Sequence, residues 1–271
     1  MTLRPSWKKL PISLRRTRSE KTISYSMRVF RDFKSIPHFH NAVATMGSFD
    51  GVHGGHMVLL EHVKNIANEL GSQSIVLTFD PHPRYVLGTG DDMKLLSTLD
   101  EKIYLLEQAG IDNLIVIPFT KEFSQTSPQD FIHNNIASLG ICNLVVGYNH
   151  RFGHQKEGDY NYLSTYGGNL KITKVEQQQV ANNKVSSTVI RHTIENGDIA
   201  RANQLLSRPY IIIGNSNNCG NINGIDQNKL LPPDGTYTVR VNSIENSLQI
   251  SNHNLRLKQP VNLGKIIVEL I

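Results

Sequence analysis

The chain has 271 residues, 39% of them hydrophobic and 19% charged, with nine Tyr, nine Phe and one Trp, the balance of a globular protein with a sizeable core rather than a disordered or membrane-spanning one. Its formal charge of +5 invites a nucleic-acid partner, but residues 1–26 hold seven Lys or Arg against one acid, so the remainder carries a net −1 and no general basic field. No apolar run approaches the length of a bilayer span, and the two cysteines, Cys142 and Cys219, lack the spacing of a disulfide framework or a zinc knuckle, which fits a reducing cytoplasm.

Residues 1–26 show neither hydrophobic periodicity nor the apolar core of a secretory signal, and Met27 opens the first segment that reads as a domain. A mis-assigned start, a disordered tail or an Arg- and Ser-containing organellar presequence would each account for them. From Asn41 onward, short apolar runs alternate with amphipathic helical stretches, the pattern of an α/β domain with a parallel sheet and flanking helices. Ala42 to Phe49 reads as a strand. Residues 56–70 then place Leu59, Leu60, Val63, Ile66, Ala67 and Leu70 on one helical face and stop at Gly71. Ser74 to Phe79 is the next strand. Thr98 and Glu101 have capping-box spacing ahead of a helix whose stripe is Leu99, Ile103 and Leu106, ending near Gly110. Strand Leu114 to Phe119 follows, then a helix opened by Ser127, Pro128 and Asp130, then strand Leu144 to Gly147.

After Arg208-Pro209-Tyr210 the texture changes to short β-branched segments such as Tyr237 to Val241 and Ile266 to Leu270, punctuated by Gly and Asn. The reading is thus residues 1–26 as an extension, 27–207 as the α/β domain and 208–271 as a small all-β unit. The Asn-rich stretch 215–228 favours turns over packed structure.

The strongest chemical signal is Gly47-Ser-Phe-Asp-Gly-Val-His53-Gly-Gly-His56, set between a strand and a helix. Such a turn, at the carboxyl edge of a parallel sheet, is where ligands bind, and the helix start offers free N–H groups to a phosphate. His53 and His56 are spaced to face one phosphoryl group, with Gly54 and Gly55 letting backbone approach. The plainer alternatives are histidines that cap the helix or bind a metal. A metal would want a third ligand, and only His82, within Asp80-Pro-His-Pro83, presents itself.

These residues resemble the signature of bacterial FAD synthetases, commonly the N-terminal half of a bifunctional riboflavin kinase and FMN adenylyltransferase. Thr78-Phe-Asp-Pro-His-Pro83, Ser127-Pro-Gln-Asp-Phe131, Val146-Gly-Tyr-Asn-His-Arg-Phe-Gly153, Val185-Ser-Ser-Thr-Val-Ile-Arg191, Asn196-Gly-Asp198 and Arg208-Pro-Tyr210 agree in order, so the resemblance spans about residues 27–214. It implies a Rossmann-like nucleotidyltransferase domain that moves the AMP part of ATP onto FMN, giving FAD and pyrophosphate, with Mg²⁺ carried largely by phosphates and water and no dedicated metal ligands. It assigns His53, His56 and Arg191 to catalysis. Gly47, Phe49, Asp50, Gly55, Ser186, Ser187 and Thr188 fall to ATP, and Phe79, Asp80, His82 and Asn149 to FMN. Ser186 to Thr188 then read as a second anion-binding helix start, with Arg191 neutralising the leaving pyrophosphate, although an ordinary N-cap with a surface arginine has the same sequence. Phe79 and the Pro81–Pro83 loop could equally be a core phenylalanine and a plain turn. His150 departs from the phenylalanine common in the family, yet an imidazole can still stack on a ring.

The C-terminal half of the bifunctional family is a β-barrel riboflavin kinase. Its Gly-x-Pro-Thr-Ala-Asn stretch and later catalytic glutamate are not legible here, and only Lys229 to Val239 resembles it, so a truncated barrel-like domain without kinase activity is expected. Neither nucleic acid nor membrane is expected as a partner. Two competing readings are a nucleotidyltransferase with another phosphorylated acceptor, since the His-x-x-His turn reads the nucleotide only, and a non-catalytic flavin- or nucleotide-binding paralogue.

Overall fold

The computed structural model describes residues 27–90, 92–148, 150–165, 170–176, 179–180, 183–261 and 263–271, so the readings made for residues 1–26 and for Asn149 lie outside the described residues. Six parallel strands form one sheet: β1 (Arg28–Phe30), β2 (Ala42–Met46), β3 (Ser74–Asp80), β4 (Asn113–Pro118), β5 (Ile141–Gly147) and β6 (Lys171–Val175), in the order β1-β4-β3-β2-β5-β6. After β2 the chain builds outward through β3 and β4, then returns to the other side of β2 for β5 and β6. The switch point therefore lies between β2 and β5, which is where an open parallel sheet leaves a crevice at its carboxyl edge.

Both faces of the sheet are covered, which explains why its strands read as near-continuous apolar runs. Ala44, Met46, Ile75, Leu77, Leu144 and Val146 pack with Phe131, Ile132 and Ile136 of α4 (Pro128–Asn135) and its extension. On the opposite face Val43 and Val145 meet Val63 and Ala67 of α1 (Gly54–Glu69), while Val76, Leu114 and Val116 meet Leu60 of α1 and Leu105 and Leu106 of α3 (Leu99–Gln108). The short α2 (Pro83–Val86) follows β3, α5 (Tyr160–Thr165) precedes β6, and a two-stranded ribbon, β7 (Gln179–Val180) with β8 (Asn183–Lys184), leads to the helical pair α6 (Ser187–Glu195) and α7 (Ile199–Leu206). Local chemistry sets the helix ends. Ser127 Oγ accepts the Asp130 N–H at 3.0 Å, and Gly140, with φ of 76°, turns α4's extension back so closely that a Cβ there would lie 1.9 Å from the Phe39 carbonyl oxygen.

Strands β9 (Tyr210–Ser216), β10 (Asn221–Asn223), β11 (Gly235–Val241), β12 (Ile244–Ser251), β13 (Asn254–Leu257) and β14 (Gly264–Leu270) close an antiparallel barrel in the order β10-β13-β12-β11-β14-β9. The small all-β unit is thus a complete ring of six strands rather than a cut-off one. Two tight hairpins make so short a ring possible. Asn242-Ser243 and Asn252-His253 all have positive φ, between 47° and 66°, the geometry that two-residue turns demand and that Asn tolerates. In the Asn-rich stretch, β9 runs on to Ser216 and Asn217 Oδ1 then accepts the N–H groups of Cys219 and Asn221, both at 3.0 Å. Ile212, Val239, Val241, Leu248, Ile250, Ile266 and Val268 fill the interior, and the space beside Gly214 is taken by Ile222 and Ile225. The same core cluster continues into Ile190, Ile194, Ala202 and Leu206, so α6 and α7 are bolted to the barrel.

A buried ion pair joins barrel to sheet. Lys229 Nζ, wholly buried, lies 2.6 Å from Glu101 Oε2 and also donates to the carbonyls of Leu96 and Ile211, both at 2.8 Å, while resting 4.1 Å from the Tyr210 ring centroid. Glu101 completes its own pairing through the capping box with Thr98 and by accepting the Ile213 N–H at 3.0 Å. Every donor on the ammonium is used. Lys229→Met strands a buried carboxylate and is expected to cost about 3–5 kcal/mol in denaturant unfolding, with a Glu101→Leu/Lys229→Met double variant costing less than the sum of the two single changes. A single-variant loss under about 1 kcal/mol would contradict this account.

Candidate active site

The turn after β2 is held in an unusual backbone. Phe49 and Val52 have φ of 47° and 38°, and for a β-branched residue this is a costly conformation that surrounding structure must impose. Asp50, 3% exposed, does much of the imposing. Its Oδ1 accepts the Ser97 N–H at 3.0 Å, Ser97 Oγ in turn accepts the Gly51 N–H at 2.9 Å, and its Oδ2 is paired with the Arg191 guanidinium. Ser187 Oγ donates to the Asp50 carbonyl at 3.1 Å, and Arg208 donates to the Gly51 carbonyl at 2.5 Å. The two helix starts, of α1 and of α6, are thereby pinned to one turn.

Between them opens a cleft of about 340 Å³ at the carboxyl ends of β2, β5 and β6. Gly47, Phe49, His53, Gly55, His56, Ser186 and Ser187 line it, so seven residues singled out from sequence meet in one cleft. Residues that the sequence did not single out complete it: Met46, Leu59, Gly147, Tyr148, Val175, Glu176 and Val185, together with His150. The remaining candidates stand apart. Arg191, 8% exposed, is engaged behind the wall by Asp50 and by the Lys94 carbonyl at 2.7 Å from its Nε. Thr188 is exposed on α6. Phe79 packs edge-on to Phe119 with ring centroids 5.5 Å apart, Asp80 is exposed, and His82 caps α2 by accepting the Arg84 N–H at 3.2 Å.

His53 is the N-cap of α1, its Nδ1 accepting the His56 N–H at 3.4 Å, which puts its ring proton on Nε2. The two imidazoles stack at 3.7 Å and 13°, a face-to-face arrangement unlike two ligands converging on one ion. Among the described residues no group of three or more His, Cys, Asp or Glu could hold a metal. Gly54 and Gly55 have separate reasons to lack a Cβ. One at Gly54 would sit 2.9 Å from Ser207 Oγ after α7, whereas one at Gly55 would press on the His53 ring at 3.3 Å.

Burial pulls the His53 pKa down to about 4, against the opposing pull of Asp50, and holds His56, whose Nδ1 is enclosed without a partner, well below the ordinary imidazole range. His82 and His150 are likewise lowered to about 4 by burial. All four are neutral at pH 7. His150 stacks on Phe152 at 5.8 Å with its Nε2 unpartnered, so the imidazole occupies an aromatic position.

The sequence reading overlooked Lys102, which α3 buries to 5% exposure with Nζ 3.2 Å from Thr78 Oγ1. A signal existed: Lys102 lies three positions after Leu99 and four before Leu106, on the apolar stripe of that helix, where a lysine is out of place.

The histidine shifts set a pH dependence. Between pH 4 and 6.5 the unfolded chain binds protons that folded His53, His82 and His150 refuse, so stability is full above about pH 6.5 and drains away as pH falls toward 4. His150→Phe removes one of these groups, worth ~1–3 kcal/mol for a shift of this size. The variant should lose less melting temperature than wild type between pH 7 and pH 5; equal losses would count against buried neutral His150.

The FAD synthetase family matches residues 35–189. A bifunctional riboflavin kinase/FMN adenylyltransferase of Listeria monocytogenes is 36% identical over 212 residues, covering 74% of this chain and 68% of the relative. An FAD synthetase of the same organism is 32% identical over 199 residues, 72% of this chain and 80% of the relative. A crystal structure titled as a macrolide-efflux protein from Streptococcus pneumoniae shares the fold, with a TM-score of 0.76 at 21% identity over 90% of this chain and 89% of the other. The cleft at the switch point, its stacked histidines and the paired helix starts are thus those of a chain that belongs to the FAD synthetase family.

Proposed function

We propose that this chain is an FMN adenylyltransferase, converting ATP and FMN to FAD and pyrophosphate. The observation that carries the reading is the single cleft in which two helix N-termini, tied together through Asp50, face one another across the switch point of a parallel sheet. A polyphosphate suits that space, because the first-turn N–H groups and positive dipole ends of two helices converge there, and among the described residues no group of three or more His, Cys, Asp or Glu is arranged to hold a metal in its place.

An oxygen of the acceptor phosphate attacks the α-phosphorus in line, and the bond to the bridging oxygen breaks as pyrophosphate leaves with the electron pair. His53 and His56, neutral in the free protein, act as N–H donors to α-phosphoryl oxygens; His53 offers Nε2–H because its Nδ1 is occupied. Ser186, Ser187 and the first turn of α6, which carries Thr188, take the outer phosphates. Arg191, paired with Asp50, holds the start of α6 in place behind the departing pyrophosphate. The acceptor lies toward the end of β3, where Phe79, Asp80 and His82 stand. No nucleophilic side chain is required, since FMN brings its own phosphate. Mg²⁺ arriving with ATP would be held by phosphate oxygens and water and would supply charge neutralisation there.

Riboflavin kinase activity is absent in this reading, because apolar side chains fill the barrel interior and the kinase motifs are missing from its strands. The α/β unit (27–207) carries the chemistry and the barrel (208–271) supports it. Among the described residues no helix is long and apolar enough to cross a membrane, and both cysteines are free, in keeping with work in the cytoplasm.

Incubation with ATP, Mg²⁺ and FMN should yield FAD and pyrophosphate on chromatography, whereas riboflavin with ATP should yield no FMN above a no-enzyme control. His56→Ala should lower kcat about 100-fold or more while the melting temperature changes little. Absence of FAD, or full activity in the variant, would refute the respective claim.

A further inference from the structure

We propose that Lys102 is a catalytic residue of this transfer: its ammonium contacts phosphoryl oxygens at the seam between the α-phosphate of the nucleotide and the phosphate of the acceptor. This rests on the adenylyl-transfer reading and adds to it a residue that the sequence motifs do not contain.

The fold treats its two buried lysines, Lys102 and Lys229, differently. Lys229 has a carboxylate and two carbonyl oxygens for its three N–H groups. Lys102, 5% exposed, has one hydrogen bond among the described residues, to Thr78 Oγ1 at 3.2 Å, and no ion pair. A buried ammonium with idle donors and no counter-ion is unfavourable unless an anion completes it. Two N–H groups are left for a ligand.

Position says which anion. Thr78 lies at the carboxyl end of β3, next to β2 in the sheet, and its hydroxyl donates to the Ser48 carbonyl at 3.3 Å, inside the turn that carries Asp50 and leads to His53. Two residues further along β3 is Asp80, and then His82. The ammonium therefore stands between the histidine turn on one side and the Asp80–His82 loop on the other. Burial lowers the Lys102 pKa while Asp50 and Asp80 on its two sides pull it back up, and its charge in turn adds to the lowering that burial imposes on His56 and His82. With the nucleotide at the histidine turn and the acceptor at the end of β3, as the adenylyl-transfer reading has them, this position lies between their two phosphates.

Charge accounting reaches the same residue. His53 and His56 are neutral and the Arg191 charge is matched by Asp50; of the two cations beside the turn that lack an ion pair among the described residues, Arg208 spends its terminal nitrogens on the Pro209 and Gly51 carbonyls, whereas Lys102 keeps two donors free. Two anions must approach each other in this reaction, so a fixed cation between them lowers the repulsion and then stabilises the equatorial oxygens of the transition state. Lys102 transfers no proton and forms no bond. The only bonds made and broken remain those at the α-phosphorus.

Lys102→Met and Lys102→Arg, assayed in the full chain, test this. Single-turnover FAD formation at saturating ATP–Mg²⁺ and FMN is measured beside thermal unfolding. Lys102→Met should melt at or above the wild-type temperature, because an unpaired buried charge has been replaced by an apolar chain of similar length, yet the rate should fall ~100-fold or more. Lys102→Arg, which keeps the charge, should recover part of that loss. The proposal is overturned if Lys102→Met keeps a rate within about threefold of wild type, if only KM rises, or if lost activity tracks a lowered melting temperature. Wild-type protein that makes no FAD at all would instead sink the adenylyl-transfer reading itself.

Discussion

One carboxylate holds the site together. Asp50 takes a backbone N–H from the segment before α3 and a guanidinium from α6, and its carbonyl takes a hydroxyl from the first turn of α6. Two stretches distant in sequence are thereby referred to one turn, and that turn holds Phe49 and Val52 at positive φ that neither side chain favours. A buried ion pair of this kind adds little net stability, because desolvation of both partners offsets most of their attraction. Its value here lies in placement. With the pair intact, the first turns of α1 and α6 can open only toward each other, and the cleft between them follows.

This arrangement changes how Arg191 is understood. A guanidinium beside a Ser-Ser-Thr helix start suggests direct contact with a leaving pyrophosphate, but its Nε and one terminal nitrogen are committed to Lys94 and Asp50. The structure has spent the arginine on geometry. On the adenylyl-transfer proposal, direct stabilisation of developing charge then falls to groups that still have free donors: the ring N–H groups of the stacked histidines, the backbone at the two helix starts, and Lys102.

Much of the sheet was legible because buried parallel strands and capped helices leave strong local marks. The capping box of α3, the Ser127-Pro128 opening of α4 and the apolar runs of β2 to β5 were all read to within a few residues. What escaped depends on partners far along the chain. The three-residue β1 and the edge strand β6 are too short or too polar to announce themselves, and β12 and β13 reveal their pairing only through the positive-φ turns that flank them. In the site, the motif residues on α1 and α6 were found, whereas Tyr148, Val175 and Glu176 enter the cleft only because β5 and β6 end beside β2. Glu101 shows the limit clearly. Its cap on Thr98 is a three-residue relation, but its second partner, Lys229, lies 128 positions away.

The barrel has a structural part in holding the cleft. Lys229 closes on Glu101, the residue beside Lys102. Leu95 pairs with the backbone of Asn228 and Leu230, and Arg208, at the start of the barrel, donates to Gly51 in the nucleotide turn. The α6–α7 pair shares its core with the barrel rather than with the sheet, so the helix that carries Ser187 and Arg191 is supported from that side. Remove the barrel, and Glu101 loses its counter-charge, α3 loses its anchor and Ile190 and Ile194 of α6 lose the core they pack into. Each of these elements places a group around the cleft. A barrel filled with apolar side chains can therefore act on phosphate chemistry through contact alone, by fixing where α3 and α6 stand relative to the turn after β2.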